Sequence, residues 1–338
     1  MPKKNYSVCS LEPELIKEYK SFAKKNFYTS GYQFNQSYLN YLYLENQYSK
    51  GFNDCRVITK DVAGDVTVVG CIHNMRSVLS DPDCDDKVIH FSAIHNLMID
   101  KDNLGIGYML LSDVIKKHKN FFVPGVSGEL NNFYLKVGAK QLFNKWYRKF
   151  IIPNFYQLFQ RLRRKKISPT LIKKLETKYL PDGVYLHYQS SNNIEKIIKN
   201  ELESTFTFKL SLNYILWRLF GSNNVDKQTL VLTKDQDFAV FSIGCRKNIP
   251  ILRLIYINHR VSINSNILIK TLIKLARGLG IISIFHVSDN LAIIDELRLQ
   301  NFYEIKNPPK SYFYSKETPD FYSPHWPLMG DYGLDEFS

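Results

Sequence analysis

No apolar run in this 338-residue chain is long enough to cross a bilayer, and its start, Met1-Pro-Lys-Lys-Asn-Tyr6, lacks the apolar core of a secretory leader. Cysteine is sparse. Cys9, Cys55, Cys71, Cys84 and Cys245 are odd in number and form no Cys-x-x-Cys pair. That argues against a disulfide framework and a cysteine-built zinc site, and no metal is expected. These absences predict a soluble cytoplasmic protein with no integral membrane association. Acidic residues are a minority, 32 against 45 Lys and Arg, for a net charge of +13. The excess suits a phosphate-bearing partner such as nucleic acid, a nucleotide-linked metabolite, CoA or a membrane surface; the plain alternative is a solvated lysine-rich exterior.

What is present suits about two domains with real cores. Hydrophobic residues make up 44%, with 22 Tyr and 22 Phe. The first half reads as helices over 12–26 and 38–43, β segments over 56–59, 67–75 and 88–99, a helix over 107–118, a strand over 121–126 and a helix over 130–137 ended by Gly138. Residues 140–178 are basic, with Arg161-Leu-Arg-Arg-Lys-Lys166 at their centre, and read as a connector or as an amphipathic stretch for anionic lipid or RNA. The second half repeats the order: Tyr214-Ile-Leu-Trp-Arg-Leu219, strands over 230–233, 237–244 and 251–257, a helix over 266–278, a strand over 281–287 and a helix over 292–299. The expected domains are 1–150, a connector 151–182, and 183–338.

The most informative stretch is Leu97-Met-Ile-Asp-Lys-Asp-Asn-Leu-Gly-Ile-Gly-Tyr-Met-Leu-Leu111, a strand end, a polar turn, then Gly105-Ile106-Gly107 opening a helix. Glycines there let a backbone approach a ligand, and the free N–H groups of the first helical turn suit a phosphate. Tight turns also use glycine for steric reasons alone.

In this context Asp102-Asn103-Leu104-Gly105-Ile106-Gly107 resembles the Gln/Arg-x-x-Gly-x-Gly/Ala loop of the GNAT superfamily of acyl-CoA-dependent N-acyltransferases, with Asp102 departing from its first position. Asn131, Tyr134 and Gly138 after the next strand fit the same pattern. The resemblance covers residues 5–145 well and 185–312 in pattern only. The second half has His259-Arg-Val-Ser-Ile-Asn-Ser-Asn266 where a glycine loop would stand, which implies one acyl-CoA site, in the first half. The family fold implied is α/β (α+β): two tandem GNAT-like domains, each a mixed, mostly antiparallel sheet flanked by helices. The tail His325-Trp326-Pro-Leu-Met-Gly330-Asp331 and the Tyr214–Leu219 segment are similar to elements of sugar N-acetyltransferases from polysaccharide clusters, acting on dTDP-linked 3-amino-3,6-dideoxyhexoses.

The resemblance implies acetyl-CoA held by Asn96, Leu97, Ile99, Asn103, Leu104, Gly105, Ile106, Gly107, Tyr108 and Asn131. It implies Tyr134 as the acid that protonates the departing sulfur, against a core tyrosine as the alternative. A base, where one is needed, is His95, on the face of Phe91 and Ala93, or His90, which needs a bulge to join that face. Glu129 is a further carboxylate. Trp217, Arg218 and Asp331 are the expected contacts to a nucleotide-linked amino sugar, with no stable nucleic acid partner and a monomer expected. The competing readings are a Fem-type aminoacyl-tRNA-dependent transferase and a non-catalytic CoA- or RNA-binding module.

Overall fold

The computed structural model describes residues 5–26, 34–81, 84–126, 128, 130–142, 145–163, 169–187, 192–205, 209–210, 212–220, 228–246, 249–257, 263–288 and 290–316. Among the described residues the chain forms two compact units, 5–142 with 309–316, and 145–308.

In the first unit the elements run β1 (Asn5–Ser10), α1 (Ile16–Asn26), α2 (Gln36–Tyr43), β2 (Cys55–Val62), β3 (Asp65–Asp81), β4 (Cys84–Ile99), α3 (Gly107–Lys117), β5 (Asn120–Val126), α4 (Leu130–Lys136) and β6 (Lys140–Leu142). The second runs β7 (Lys145–Phe150), α5 (Phe155–Arg163), α6 (Pro169–Tyr179), β8 (Val184–His187), α7 (Asn192–Thr205), β9 (Lys209–Leu210), α8 (Leu212–Phe220), β10 (Gln228–Lys234), β11 (Asp237–Arg246), β12 (Ile249–Ile257), α9 (Ile263–Gly278), β13 (Ser283–Ser288), α10 (Leu291–Leu299) and β14 (Tyr303–Glu304). A final strand, β15 (Lys310–Ser315), returns to the first unit.

The two sheets share one plan. The first is ordered β1-β2-β3-β4-β5-β15-β6, and the second, from its other edge, β8-β10-β11-β12-β13-β7-β14. Along these two paths every pair is antiparallel except one in each, β4 with β5 and β12 with β13. The sixth place in each is filled out of turn. β15, from the chain's end, pairs with β5 and β6, and β7, just after the first unit, pairs with β13 and β14. The domain boundary expected at 150 therefore falls at 142/143, and the first unit regains residues 309–316 of the described chain. The expected connector 151–182 is built instead of α5 and α6, and Ile172 and Leu175 of α6 belong to the second unit's core.

Alternation along the strands gives the first sheet two buried faces. Ile58, Ile72, Ile94 and Phe121 pack under Leu110, Leu111 and Val114 of α3 and Tyr134 of α4. On the other face, Tyr19 of α1 and Tyr43 of α2 close over His73, each with ring centroids 5.9 Å from it. In the second unit α9 lays Leu268, Ile269, Leu272, Leu275 and Ala276 on Leu252, Leu254 and Ile284.

Candidate functional site

β4 and β5 run side by side for only two residue pairs, Ser92 with Phe121 and Ala93 with Phe122. Two local sequence effects separate them beyond that point. On β4, Cys71 faces Met98 and His73 faces His95, so Asn96 and Leu97 together oppose the single residue Ile72. This is a β-bulge, and Asn96 takes it up with φ +53°, a conformation asparagine tolerates better than most residues. On β5, Pro124 has no N–H to offer a neighbouring strand. Parallel strands that part at their carboxyl ends leave a fork, a common place for a ligand. β12 carries a like irregularity, with Tyr256 facing Val240 and Leu254 facing Phe241.

The glycine turn follows directly from the β4 arm of the fork. Gly105 has φ +97°, and no atom lies within 4 Å of where its Cβ would stand. Gly107 has a different task, since a Cβ there would lie 3.2 Å from Ile99 Cγ1. One glycine shapes the turn and the other lets α3 settle onto β4. The N-terminus of α3 has no side-chain cap. Its N–H groups and the helix dipole are left for an anion. Leu104, Tyr108 and Met109 are exposed around it, and Tyr108 meets Phe133 with ring centroids 5.4 Å apart.

The turn is held from outside. The Asp100 carboxylate pairs with Lys25 at 2.9 Å, and the Lys25 ammonium beside it holds the carboxyl below its ordinary range. Tyr6 donates its hydroxyl proton to Asn103 Oδ1 at 2.9 Å. Asn103 is buried, so its side chain braces the loop and only its backbone is left for a ligand. Ile99 is likewise occupied, packed between Gly70 and Gly107.

Tyr134 lies at the root of the fork, buried, stacked on Tyr312 at 5.5 Å and beside Phe121 at 6.4 Å. Tyr312 in turn donates to Asn131 Oδ1 at 3.1 Å. β15 thus orients two of the residues expected at the site, a link not readable from local sequence. His95 is buried on the α1/α2 side with its ring edge-on to His73 at 5.6 Å. His73 is the group missed by the sequence reading. Its Nε2 lies 2.9 Å from the Tyr19 hydroxyl, and burial pulls its pKa down to about 3, so the ring is neutral at physiological pH.

His90 is not brought to the fork. The β3–β4 register runs unbroken from His73–His95 to Val78–His90, so the bulge it would need is absent and it stays on the opposite face from His95. It lines a separate pocket of about 350 Å³ with Lys50, Arg76, Lys117, His118 and Lys119. Trp217 sits half-buried on α8 in the second unit. The side chain of Arg218, and Glu129 and Asp331 entirely, lie outside the described residues, as do His259–Ser262 of the counterpart loop. Among the described residues no group of His, Cys, Asp or Glu is placed to hold a metal, and no helix is long and apolar enough to cross a membrane.

No family model matches the sequence, and no curated protein does. Solved structures do match by shape. Saccharomyces cerevisiae N-myristoyltransferase with bound myristoyl-CoA superposes with a TM-score of 0.58 at 11% identity, over 93% of this chain and 84% of that one. A GCN5-related N-acetyltransferase from Anabaena variabilis gives 0.51 at 12% identity, over 91% and 72%. The chain has the GNAT fold. An acetyltransferase described as putative from Pyrococcus horikoshii agrees, at 0.54 and 11% identity over 95% and 92%. The GNAT fold extends across nearly the whole chain, so the second unit is part of the likeness. At these identities the match speaks for architecture, and the chemistry has to be argued from the residues.

Proposed function

We propose that the chain is an acyl-CoA-dependent N-acyltransferase of the GNAT type. The observation that carries this is the uncapped N-terminus of α3 behind the open Gly105 turn, placed at the mouth of the β4–β5 fork. A pyrophosphate there would accept from the backbone N–H groups of Gly105 to Tyr108, with Leu104 and Tyr108 against the rest of the nucleotide end. The backbone of Asn96, Leu97 and Ile99, on the β4 arm of the fork, would lie along the pantetheine arm.

The reaction joins an unprotonated amine nitrogen to the thioester carbonyl carbon and breaks the carbon–sulfur bond. The amine gives up a proton and the departing sulfur gains one. Tyr134, next to the last paired residues of the fork, is the proposed proton donor. His95, or water beside it, takes the amine's proton. A neutral His73 adds no positive charge beside His95.

For the acceptor we propose a nucleotide-linked amino-deoxy sugar, dTDP-linked, with acetyl as the acyl group. The support is sequence likeness alone, at the Tyr214–Leu219 segment and the His325–Asp331 tail. Trp217, Arg218 and Asp331 are the proposed contacts. Release of free thiol from acetyl-CoA, measured against a panel of amino-sugar nucleotides, tests both levels. Turnover with one of them is the expected result. Turnover only with aminoacyl-tRNA would overturn the reading.

A further inference from the structure

α5 presents its apolar side to solvent. Six of the eighteen large apolar side chains exposed among the described residues fall within thirteen positions: Phe150, Ile152, Phe155, Tyr156, Phe159 and Leu162, each between 51% and 75% exposed. At 100° per residue, Phe155, Phe159 and Leu162 lie within about 60° of arc, with Tyr156 on their flank. A helix of a soluble domain ordinarily turns such a stripe inward.

The rotation of α5 is fixed by a backbone contact. A Cβ on Gly280, which has φ +72°, would lie 2.5 Å from Leu158 N and 2.6 Å from Gln157 C. Only glycine lets α5 approach this closely, and the contact holds the 157–158 side inward. Asn154 N–H donates to the Arg277 carbonyl at 3.0 Å and pins the start of the helix to the end of α9. The stripe opposite is thus held outward.

Charge identifies what covers it. Residues 130–175 contain twelve Lys or Arg and no Asp or Glu, and five of those cations lie in Arg161–Lys166, at and just past the end of α5. Two copies meeting through this segment would bring like charges together, and a nucleic acid would leave Ile152 and Leu162 uncovered. An anionic lipid surface satisfies both features, taking the rings and aliphatic chains at the headgroup boundary and the cations among the phosphates. Nine helical residues span about 14 Å, well short of a bilayer core, so the helix would lie in the plane of the leaflet.

We infer that α5 with its flanks is a membrane-docking face for a leaflet rich in anionic lipid. The test is co-sedimentation of the full chain with vesicles of phosphatidylcholine alone and of phosphatidylcholine with about a third phosphatidylglycerol. Binding is expected to the mixed vesicles only and to weaken as salt is raised. Phe155→Ser with Phe159→Ser should lower the partition coefficient at least about tenfold. Arg163→Gln with Lys165→Gln should lower it about fivefold per charge. Both pairs should keep the parent's urea midpoint and CoA affinity, since these side chains take no part in the proposed acyl-CoA site. Absence of binding to the mixed vesicles, or binding indifferent to the two serines, would overturn the inference. So would a dimer in light scattering that those serines disperse, which would assign the face to a second copy.

Discussion

The proposed phosphate seat can be probed with a single methyl group. Gly105→Ala places a Cβ where no atom lies within 4 Å, so packing does not resist it. The backbone does, because φ +97° costs an L-residue about 1–2 kcal/mol. Reduced freedom of the unfolded chain returns about 0.4–1 kcal/mol. The net loss of stability is therefore about 0–1.6 kcal/mol, at most a small shift of the urea midpoint. Binding should suffer more. Displacing the pyrophosphate from one charge-assisted N–H contact removes about 1.5–3 kcal/mol, which weakens CoA roughly 10- to 150-fold in calorimetric titration. Gly64→Ala supplies the control. Gly64 has φ +91°, also has nothing within 4 Å of its Cβ position, and lies in the β2–β3 hairpin turn. It should lose similar stability and bind CoA as the parent does. If Gly105→Ala binds CoA within twofold of Gly64→Ala, the seat is not at this turn.

The other predictions follow from single sites. Tyr134→Phe should lower kcat about a hundredfold or more with little change in KM, and should remove the high-pH limb of the rate profile; a parental rate would dismiss the acid. Burial lowers the pKa of His73 to about 3 and, as the largest of its causes, of His118 to about 4; burial again brings His286 to about 4. The folded state holds these rings neutral while the unfolded chain protonates them below 6.5. Stability should therefore fall as pH drops from 6.5 toward 4, by up to about 1.4 kcal/mol per pH unit per histidine, and flat urea midpoints over that range would contradict their burial. Asp54 is buried and accepts from Arg76 Nε at 2.6 Å, Ser49 Oγ at 3.0 Å and Lys50 N at 2.8 Å. Asp54→Ala should cost about 3–5 kcal/mol in chemical denaturation, because a guanidinium and two further donors lose their acceptor.

Much of the local structure was legible in sequence, because it is set by local patterns. The α3 stripe, the glycine turn before it and the Gly138 stop after α4 all stand where periodicity and capping put them. The repeated element order also stands, as two sheets of one plan. What escaped depends on register and on partners distant in the chain. His73 is an unremarked strand residue until the β3–β4 pairing sets it beside His95. Lys310-Ser-Tyr-Phe-Tyr-Ser315 reads as a strand, yet nothing in those residues says that it pairs with β5, far back in the chain. α5 and α6 were merged into a connector because their positive charge hid their periodicity. Asn103 reads as a ligand contact of the loop, and no local pattern reveals that Tyr6 occupies its side chain.

The placement of β15 also bears on how the chain comes off the ribosome. β5 is made by residue 126, but its antiparallel neighbour follows only at residues 310–315, after the second unit has been synthesised. Until then Phe121, Phe122 and Val123 form a bare apolar edge, the kind of strand that invites pairing with other nascent chains. Among the described residues, the first unit begins first and finishes last. No cut between the halves yields two complete sheets, so a gene for this fold cannot be divided into two independent single-unit proteins without first rewiring which end supplies the sixth strand.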